Sequence, residues 1–306
     1  MPLMVAAFVG RGCDRAWTEI CRRSLRGLML AVFAIWGCDS PKPAPLTVPA
    51  STPAVNTSFD PANAHAISGR VTWNGPAPQA PPFEIMPNPL SGVVLQNRQQ
   101  RPNPNVPTID PLSHGVAGAI VFLRGVDPAR GKPWDLPEVV VEQRDCQLRI
   151  VQGTTASQIG FVRQGAEIEM VSRDPWLHAL HAGGSSFFTL MFPDPEQPLR
   201  RRLAAPGLVE LSSNAGYFWM RGYLFVDDHP YYSRTDREGR FTLTGVPAGA
   251  YRLVAWLPNW HVARQERDPE SGLVSRVFFE QSFELEVPVV LGNKAETDLM
   301  LSLPGK

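Results

Sequence analysis

The sequence predicts an all-β protein built from β-sandwiches. It contains 31 prolines and 25 glycines among 306 residues, and only 19% of its residues are charged, which is typical of turn-rich β architecture. Beyond residue 66, short segments of alternating apolar and polar residues follow one another, with turn residues between them. No segment in this part keeps a helical pattern over three turns. Many short strands separated by Gly and Pro indicate packed sheets.

The N-terminal region predicts a lipoprotein signal followed by a tether. In residues 1–37, an arginine cluster precedes a short apolar run, and Cys38 follows a glycine, an arrangement that resembles a bacterial lipobox. We therefore expect cleavage before Cys38 and lipidation of its thiol, which would anchor the protein to a membrane. An uncleaved anchor or a signal cut elsewhere are the alternatives. Residues 38–65 are rich in Pro and predict an extended tether.

The folded part is predicted to begin at residue 66. Residues 67–73 alternate as a strand and end at an Asn-Gly turn, whereas residues 76–114 are rich in Pro and predict an irregular excursion. Residues 117–126 are apolar on both faces, which is typical of a strand buried between two layers. Further strand candidates follow at 139–141, 148–150, 167–170, 186–192, 208–211 and 223–226.

The order of motifs between residues 139 and 220 resembles the cupredoxin family. Residues 174–178 are Asp-Pro-Trp-Leu-His, similar to the turn that places the first copper-binding imidazole in that family. A strand then enters a loop at 213–220 that is similar to the family's copper-ligand loop, Cys-x3-His-x2-Met. The resemblance implies a Greek-key β-sandwich, which we assign to residues 66–227 including the irregular excursion.

The resemblance implies four ligand positions, and two of them hold copper-binding residue types. His178 and Met220 match the pattern, but Ser213 stands in place of the cysteine and Tyr217 in place of the second histidine. A thiolate is the main source of Cu(I) affinity, and a serine hydroxyl is a weak, hard ligand. Tyrosine binds metals only as phenolate, from an ordinary pKa near 10. We expect no type-1 copper and no cofactor; the alternative is a weak, non-blue copper site using His178, His181 and Met220.

Aromatic residues are concentrated in and after this region. Two interpretations are open: they form a ring-lined surface for a sugar or another apolar-faced ligand, or they fill the core where the metal is absent. The candidate surface residues are Trp176, Trp219, Trp256 and Trp260.

The second half carries a different signature. Residues 235–243 are Thr-Asp-Arg-Glu-Gly-Arg-Phe-Thr-Leu and residues 246–253 are Val-Pro-Ala-Gly-Ala-Tyr-Arg-Leu, a pattern that resembles the carboxypeptidase regulatory-like family. The resemblance implies a transthyretin-like or Ig-like β-sandwich over residues 228–306, with a structural or interaction role and no peptidase machinery. Asp236 is expected to cap the hairpin and Gly239 to adopt a positive φ.

The boundary between the two sandwiches is not predicted to be a simple cut. The first strand, at residues 68–73, itself resembles the opening of a regulatory-like module. It is therefore a candidate for the second sandwich as well as for the first.

The sequence favours a binding or structural role over catalysis. It has no Gly-x-Ser-x-Gly, phosphate-loop or His-Glu-x-x-His motif, and its zero net charge offers no electrostatic basis for nucleic-acid binding. We interpret Asp227-Asp228-His229 as a structural turn and Cys146 as a small buried hydrophobe. The expectation is a non-catalytic cell-envelope lipoprotein that faces the periplasm or the exterior and binds a protein or a glycan. The alternative is a periplasmic copper-binding or electron-transfer protein.

Overall fold

The computed structural model describes residues 58–86, 98–292 and 296–304, which all belong to one compact unit spanning residues 51–306. The predicted signal, Cys38 and most of the predicted tether lie outside the described residues. In the described part, the chain forms one 3-10 turn at Pro61–Asn63 and otherwise only β-strands, which confirms the predicted all-β class. No helix there has the length and hydropathy that a membrane crossing requires.

Twenty-three strands follow one another along the described residues. The first twelve are β1 (Ala64–Asn74), β2 (Phe83–Ile85), β3 (Gln99–Arg101), β4 (Thr108–Ile109), β5 (Val116–Ala117), β6 (Ile120–Arg124), β7 (Val139–Arg144), β8 (Gln147–Gln152), β9 (Thr155–Ser157), β10 (Ile159–Arg163), β11 (Glu167–Ser172) and β12 (His178–Gly184). The others are β13 (Phe188–Phe192), β14 (Leu199–Arg202), β15 (Gly207–Ser213), β16 (Arg221–Asp227), β17 (Tyr232–Arg234), β18 (Arg240–Pro247), β19 (Gly249–Leu257), β20 (Val262–Arg267), β21 (Val274–Phe279), β22 (Phe283–Leu291) and β23 (Glu296–Pro304).

Two five-stranded sheets form the first sandwich. One has the order β10-β16-β15-β12-β13 and the other the order β14-β11-β7-β8-β9. Alternate residues of β7, β8 and β15 point into the space between them, so Val141, Ile150 and Leu211 are fully buried in one apolar cluster. Each such side chain stabilises the fold by about 1.5–3 kcal/mol relative to an exposed position.

The second sandwich consists of a sheet β18-β1-β23 and a sheet β17-β6-β19-β22. Strand β1 pairs antiparallel with β18 and parallel with β23, and β6 pairs with β17 and β19. The predicted division into 66–227 and 228–306 therefore does not follow the sheets, because β1 and β6 pair with strands that come after residue 227. Only long-range backbone pairing decides this point, and local alternation carries no information about the partner strand.

Strand β6 confirms the prediction of a strand buried between two layers. Val121 and Leu123 point into the core of the second sandwich. Ile120 and Phe122 point the other way and pack against the outer face of β16, where the rings of Phe122 and Phe225 lie 5.5 Å apart. Both faces of the strand are therefore apolar because each covers a different sheet.

The turn before β18 has the predicted chemistry. Asp236 Oδ1 accepts a hydrogen bond from the Arg240 backbone N–H at 2.7 Å, and Gly239 adopts φ +81°. A side chain at Gly239 would bring its Cβ to 2.2 Å from the Val71 carbonyl oxygen, so the close approach of β1 also requires glycine.

Two connecting segments pack on the sandwiches. The predicted irregular excursion contains only short strands and turns among its described residues, and Asn105 in it donates to Tyr223 Oη at 2.9 Å and to the Asn259 carbonyl at 2.8 Å. Strands β20 and β21 form a hairpin that packs on the first sandwich, with Val277 buried in the core cluster of that sandwich. The hairpin also lines a cavity on the outer face of this sandwich.

Candidate functional site

Asp174 connects two turns at one end of the first sandwich. Its carboxylate is buried and accepts hydrogen bonds from the backbone N–H of Asp145 at 2.7 Å and of Cys146 at 3.1 Å. Both of those residues have φ 54°, in the left-handed region that non-glycine residues rarely adopt. The same carboxylate lies 2.7 Å from His178 Nε2. Asp174 therefore holds the β7–β8 turn against the start of β12.

His178 is fully buried beside this carboxylate. Because an ionised carboxylate only accepts, Nε2 carries the proton and Nδ1 has the free lone pair. Burial lowers the pKa of His178 despite the opposing effect of Asp174, so the ring is neutral near pH 7. Nδ1 has no hydrogen-bond partner. It is the atom of this site best suited to bind a metal ion.

Tyr217 packs against His178. The two ring centroids lie 4.9 Å apart, and the tyrosine side chain is 2% exposed. Burial raises the pKa of Tyr217, with further contributions from Cys146 and Asp174, so the phenol stays protonated at any ordinary pH. Trp219 packs edge-on against the Tyr217 ring at 5.6 Å and donates its Nε1–H to the Cys146 carbonyl at 2.8 Å. The aromatic loop thus fills the space beside the histidine.

Ser213 and Met220 hold the same loop in place. The Ser213 hydroxyl accepts the Ala215 N–H at 3.1 Å, and the Met220 N–H is bonded to the Tyr217 carbonyl at 2.9 Å. Both side chains are buried. This donor set does not fit a type-1 copper ion, because it offers one imidazole nitrogen and one thioether without a thiolate or a second imidazole.

Cys146 does not replace the missing thiolate. It is buried, as the sequence predicted. Burial raises the pKa of its thiol to about 11, with a further contribution from the Asp174 carboxylate, so the thiol stays protonated near neutral pH.

His181 is not part of this cluster. It lies three residues after His178 in β12, and residues three apart in a strand point to opposite faces. Its Nδ1 is 3.2 Å from Thr189 Oγ1, and its ring packs edge-on against Phe187 at 5.1 Å. The predicted copper trio of His178, His181 and Met220 is therefore not brought together around one centre.

The four tryptophans do not form a shared surface. Trp219, Trp256 and Trp260 are buried, with exposures of 7%, 1% and 5%, and each belongs to a different apolar cluster. Trp176 is half-buried and packs on the first of these clusters. The burial of three of these rings favours the core-filling interpretation over an aromatic surface.

Asp227, Asp228 and His229 form the one group of three His, Cys, Asp or Glu residues in the described part of the chain whose ligand atoms lie within 4.8 Å of one another. Asp227 accepts from Tyr232 Oη at 2.7 Å and lies 3.3 Å from His229 Nε2. Burial lowers the pKa of His229 and raises that of Asp228. These contacts fit the predicted structural turn between β16 and β17.

A second group of polar residues, which the sequence patterns did not indicate, lies on the outer face of the first sandwich. Arg221 in β16 and Arg276 in β21 line one cavity of about 290 Å³, together with His181 and Ser212. Only the pairing of β15 with β16 and the packing of the hairpin bring these residues together. Alternation within each strand was the one available signal, and it does not identify partners.

Comparison with known proteins finds matches among solved structures only. No family model matches the chain, and no curated protein matches it. Among solved structures, a reduced-state variant of amicyanin is 20% identical and covers 29% of this chain and 81% of its own, with a TM-score of 0.23. A Cu(I) form of another amicyanin variant is 17% identical and covers 35% and 97%, with a TM-score of 0.24. A purple cupredoxin from Nitrosopumilus maritimus is 10% identical and covers 29% and 98%, with a TM-score of 0.23.

These neighbours are cupredoxins, and the likeness is limited to about a third of this chain. At such identities and TM-scores it carries no conclusion about the chemistry of the site. The class that the fold and the site define is an all-β protein of two packed sandwiches, with a buried Asp–His–Tyr cluster at one end of the first.

Proposed function

We propose that this protein is a non-catalytic binding module of a bacterial cell envelope, whose cupredoxin-like first sandwich carries no type-1 copper. One observation carries the proposal. The buried, protonated phenol of Tyr217 packs 4.9 Å from the ring of His178, at the ligand position where the resemblance expects an imidazole.

The chemistry of the neighbouring groups supports the same conclusion. Blue-copper electron transfer depends on a thiolate, and the corresponding position holds Ser213, whose hydroxyl is used to accept the Ala215 N–H. The Asp174 carboxylate is hydrogen-bonded to Nε2 of His178, which is therefore not free to bind a metal. The residues that would surround the metal thus stabilise the loop instead.

The proposed location rests on the N-terminal sequence. A lipid on Cys38 would hold the sandwiches near a membrane at the end of the Pro-rich tether, and the partner would be a protein or a glycan. Replacing Cys38 with alanine is expected to release the protein into the soluble fraction after cell lysis. Continued retention of that variant in the membrane fraction would refute lipid anchoring.

The competing function is copper binding, and the orphaned Nδ1 of His178 favours it. The decisive experiment is copper analysis of protein purified from cells grown with added copper, together with its visible absorption spectrum. We expect no stoichiometric copper and no intense blue band in the wild type. Stoichiometric copper that disappears in His178→Ala would overturn the proposal and establish the competing function.

A matched positive control makes a negative result meaningful. The double variant Ser213→Cys, Tyr217→His restores the four residue types of the family's ligand set. We expect this variant to bind copper with a thiolate absorption band. Ser213→Cys alone lacks the second imidazole and should give a weaker band, and Tyr217→His alone lacks the thiolate and should give none. Circular dichroism of each variant confirms that it has folded.

A further inference from the structure

The outer face of the first sandwich carries a row of three polar side chains. In the registers of β12, β15 and β16, His181 lies opposite Ser212, and Ser212 lies opposite Arg221. Directly opposite residues share a face, with Cβ atoms about 4.5–5.5 Å apart. The neighbouring pair, Leu180 and Ser213, is buried on the inner face. The row therefore faces away from the core and toward the β20–β21 hairpin.

The hairpin turns this face into a cavity of about 290 Å³. The polar row and Arg276 line the cavity together with three apolar residues, Phe218, Val277 and Phe278. The Arg276 guanidinium lies over the Phe278 ring, 5.6 Å from its centroid, so charged and apolar groups are adjacent in the lining. The volume of the cavity is near the lower end of the range for small-molecule sites, about 300–1,000 Å³.

The two arginines give the cavity an excess of positive charge. Both arginines line the same cavity. Burial lowers the pKa of Arg221, Tyr223 and Glu210 oppose that effect, and the charge of Arg276 adds to it. Arg221 Nε is buried without a hydrogen-bond partner. Burial also lowers the pKa of His181, with contributions from both arginines, so the imidazole is neutral and adds no charge.

The nearby carboxylates offset this charge only in part. Glu266 lies opposite Arg276 in the hairpin, but its carboxylate is ion-paired with Arg264 at 2.6 Å. Glu210 lines the cavity from an exposed position, so it supplies one negative charge against two positive charges. A buried N–H without a hydrogen-bond partner is unfavourable, and so is the repulsion between two cations. A bound anion would accept the hydrogen bond and reduce the repulsion.

We propose that this cavity binds a small organic anion, with its carboxylate or phosphate group between Arg221 and Arg276 and its apolar part against Val277 and Phe278. Guanidinium groups suit this task because their planar N–H pairs match the oxygens of either anion. The inference goes beyond the proposed function, since it depends neither on the lipid nor on the absence of copper.

The test is isothermal titration of the full chain with benzoate, phenyl phosphate and inorganic phosphate, with benzyl alcohol as the neutral control. Saturable binding of benzoate or phenyl phosphate is expected, and the tighter of the two distinguishes a carboxylate from a phosphate ligand. Benzyl alcohol is not expected to bind. Absence of saturable binding for both organic anions would overturn the proposal. Inorganic phosphate binding as tightly as the organic anions would also overturn it, because the apolar part would then contribute nothing.

Two variants and one control locate the site. Arg276→Gln should weaken binding about tenfold or more, because a charge-assisted hydrogen bond is lost. Arg267→Gln, in the same hairpin but outside the lining of this cavity, should leave binding unchanged. Gly183→Val should also abolish binding, because Gly183 lines the cavity and a larger side chain would fill it. A Cβ at this position has only His181 Nε2 within 4 Å, at 3.8 Å, so valine is expected to fit the strand. Wild-type affinity in both Arg276→Gln and Gly183→Val would show that the anion binds elsewhere.

Discussion

The two faces of the sheet that contains β12 and β15 differ in how fully their polar groups are hydrogen-bonded. On the inner side, Asp174 accepts hydrogen bonds from two backbone N–H groups and from His178, and Tyr217 fills the adjacent space. On the outer side, Arg221 keeps a buried Nε without a partner next to a cavity of about 290 Å³. The inner side is organised for stability, whereas the outer side retains space and unused hydrogen-bonding capacity.

His178 and His181 show the difference most directly. Both belong to one strand, and the sequence suggests that they act together. The structure gives the first a buried carboxylate partner and the second a threonine on the neighbouring strand. Residue type and spacing therefore predict a shared binding site only when the residues lie on the same face of the strand.

The largest effect on the inner side is expected from Asp174→Ala. The variant loses three hydrogen bonds to a buried carboxylate and leaves two backbone groups in strained conformations without their acceptor. We expect a loss of about 3 kcal/mol or more in the free energy of unfolding, measured by urea denaturation. Asp268→Ala is the matched control, because Asp268 also accepts two backbone N–H groups but in an exposed turn. An equal loss in both variants would show that burial of Asp174 is not the cause.

A second expectation concerns the reactivity of Cys146. Because burial raises the pKa of its thiol to about 11, little thiolate is present at pH 8 in the folded protein. Alkylation by iodoacetamide should be roughly a hundredfold slower in the native protein than in guanidinium chloride. Mass spectrometry of the Cys146 peptide measures both rates. Similar alkylation rates in the two conditions would show that the Cys146 thiol is accessible and reactive in the folded protein.

The pH dependence of stability should separate the two histidines. The pKa of His178 is lower in the folded protein than in the unfolded chain, so the neutral ring contributes stability that is fully present above about pH 6.5. This contribution is lost as the pH falls toward the folded pKa, with a slope of up to about 1.4 kcal/mol per pH unit. His178→Gln, which keeps a donor for Asp174, should flatten the unfolding free energy below pH 6.5 more than His181→Gln does. The reverse order would place the more strongly shifted group on the outer side.

The smallest effect is expected from His181→Ala. Its ring contacts Phe187, which is exposed, and its hydrogen bond to Thr189 is also exposed. The free energy of unfolding should change by less than about 0.5 kcal/mol, as is usual for surface substitutions. Thermal denaturation checks this value, and a loss comparable to that of Asp174→Ala would show that the outer face also supports the fold.

Local patterns in the sequence predicted several elements correctly. The continuous apolar run around β6 indicated a strand covered on both faces, and the Asp-x-x-Gly turn before β18 indicated a side-chain cap with a positive φ. These features depend on residues close together in the chain. The aromatic surface and the copper trio were beyond such local patterns, because both depend on the face or the layer that each residue occupies.

The sequence by itself determined the all-β class, the residue types near His178 and the chemistry of single turns, because strand periodicity and turn propensity act over a few neighbouring residues. Only the tertiary structure decided that β1 pairs with β18 and β23, that Tyr217 packs against His178, and that Arg276 and Arg221 line one cavity. Such contacts join residues far apart in the chain. Their partners are selected by the burial of whole faces and by backbone pairing, which no local segment encodes.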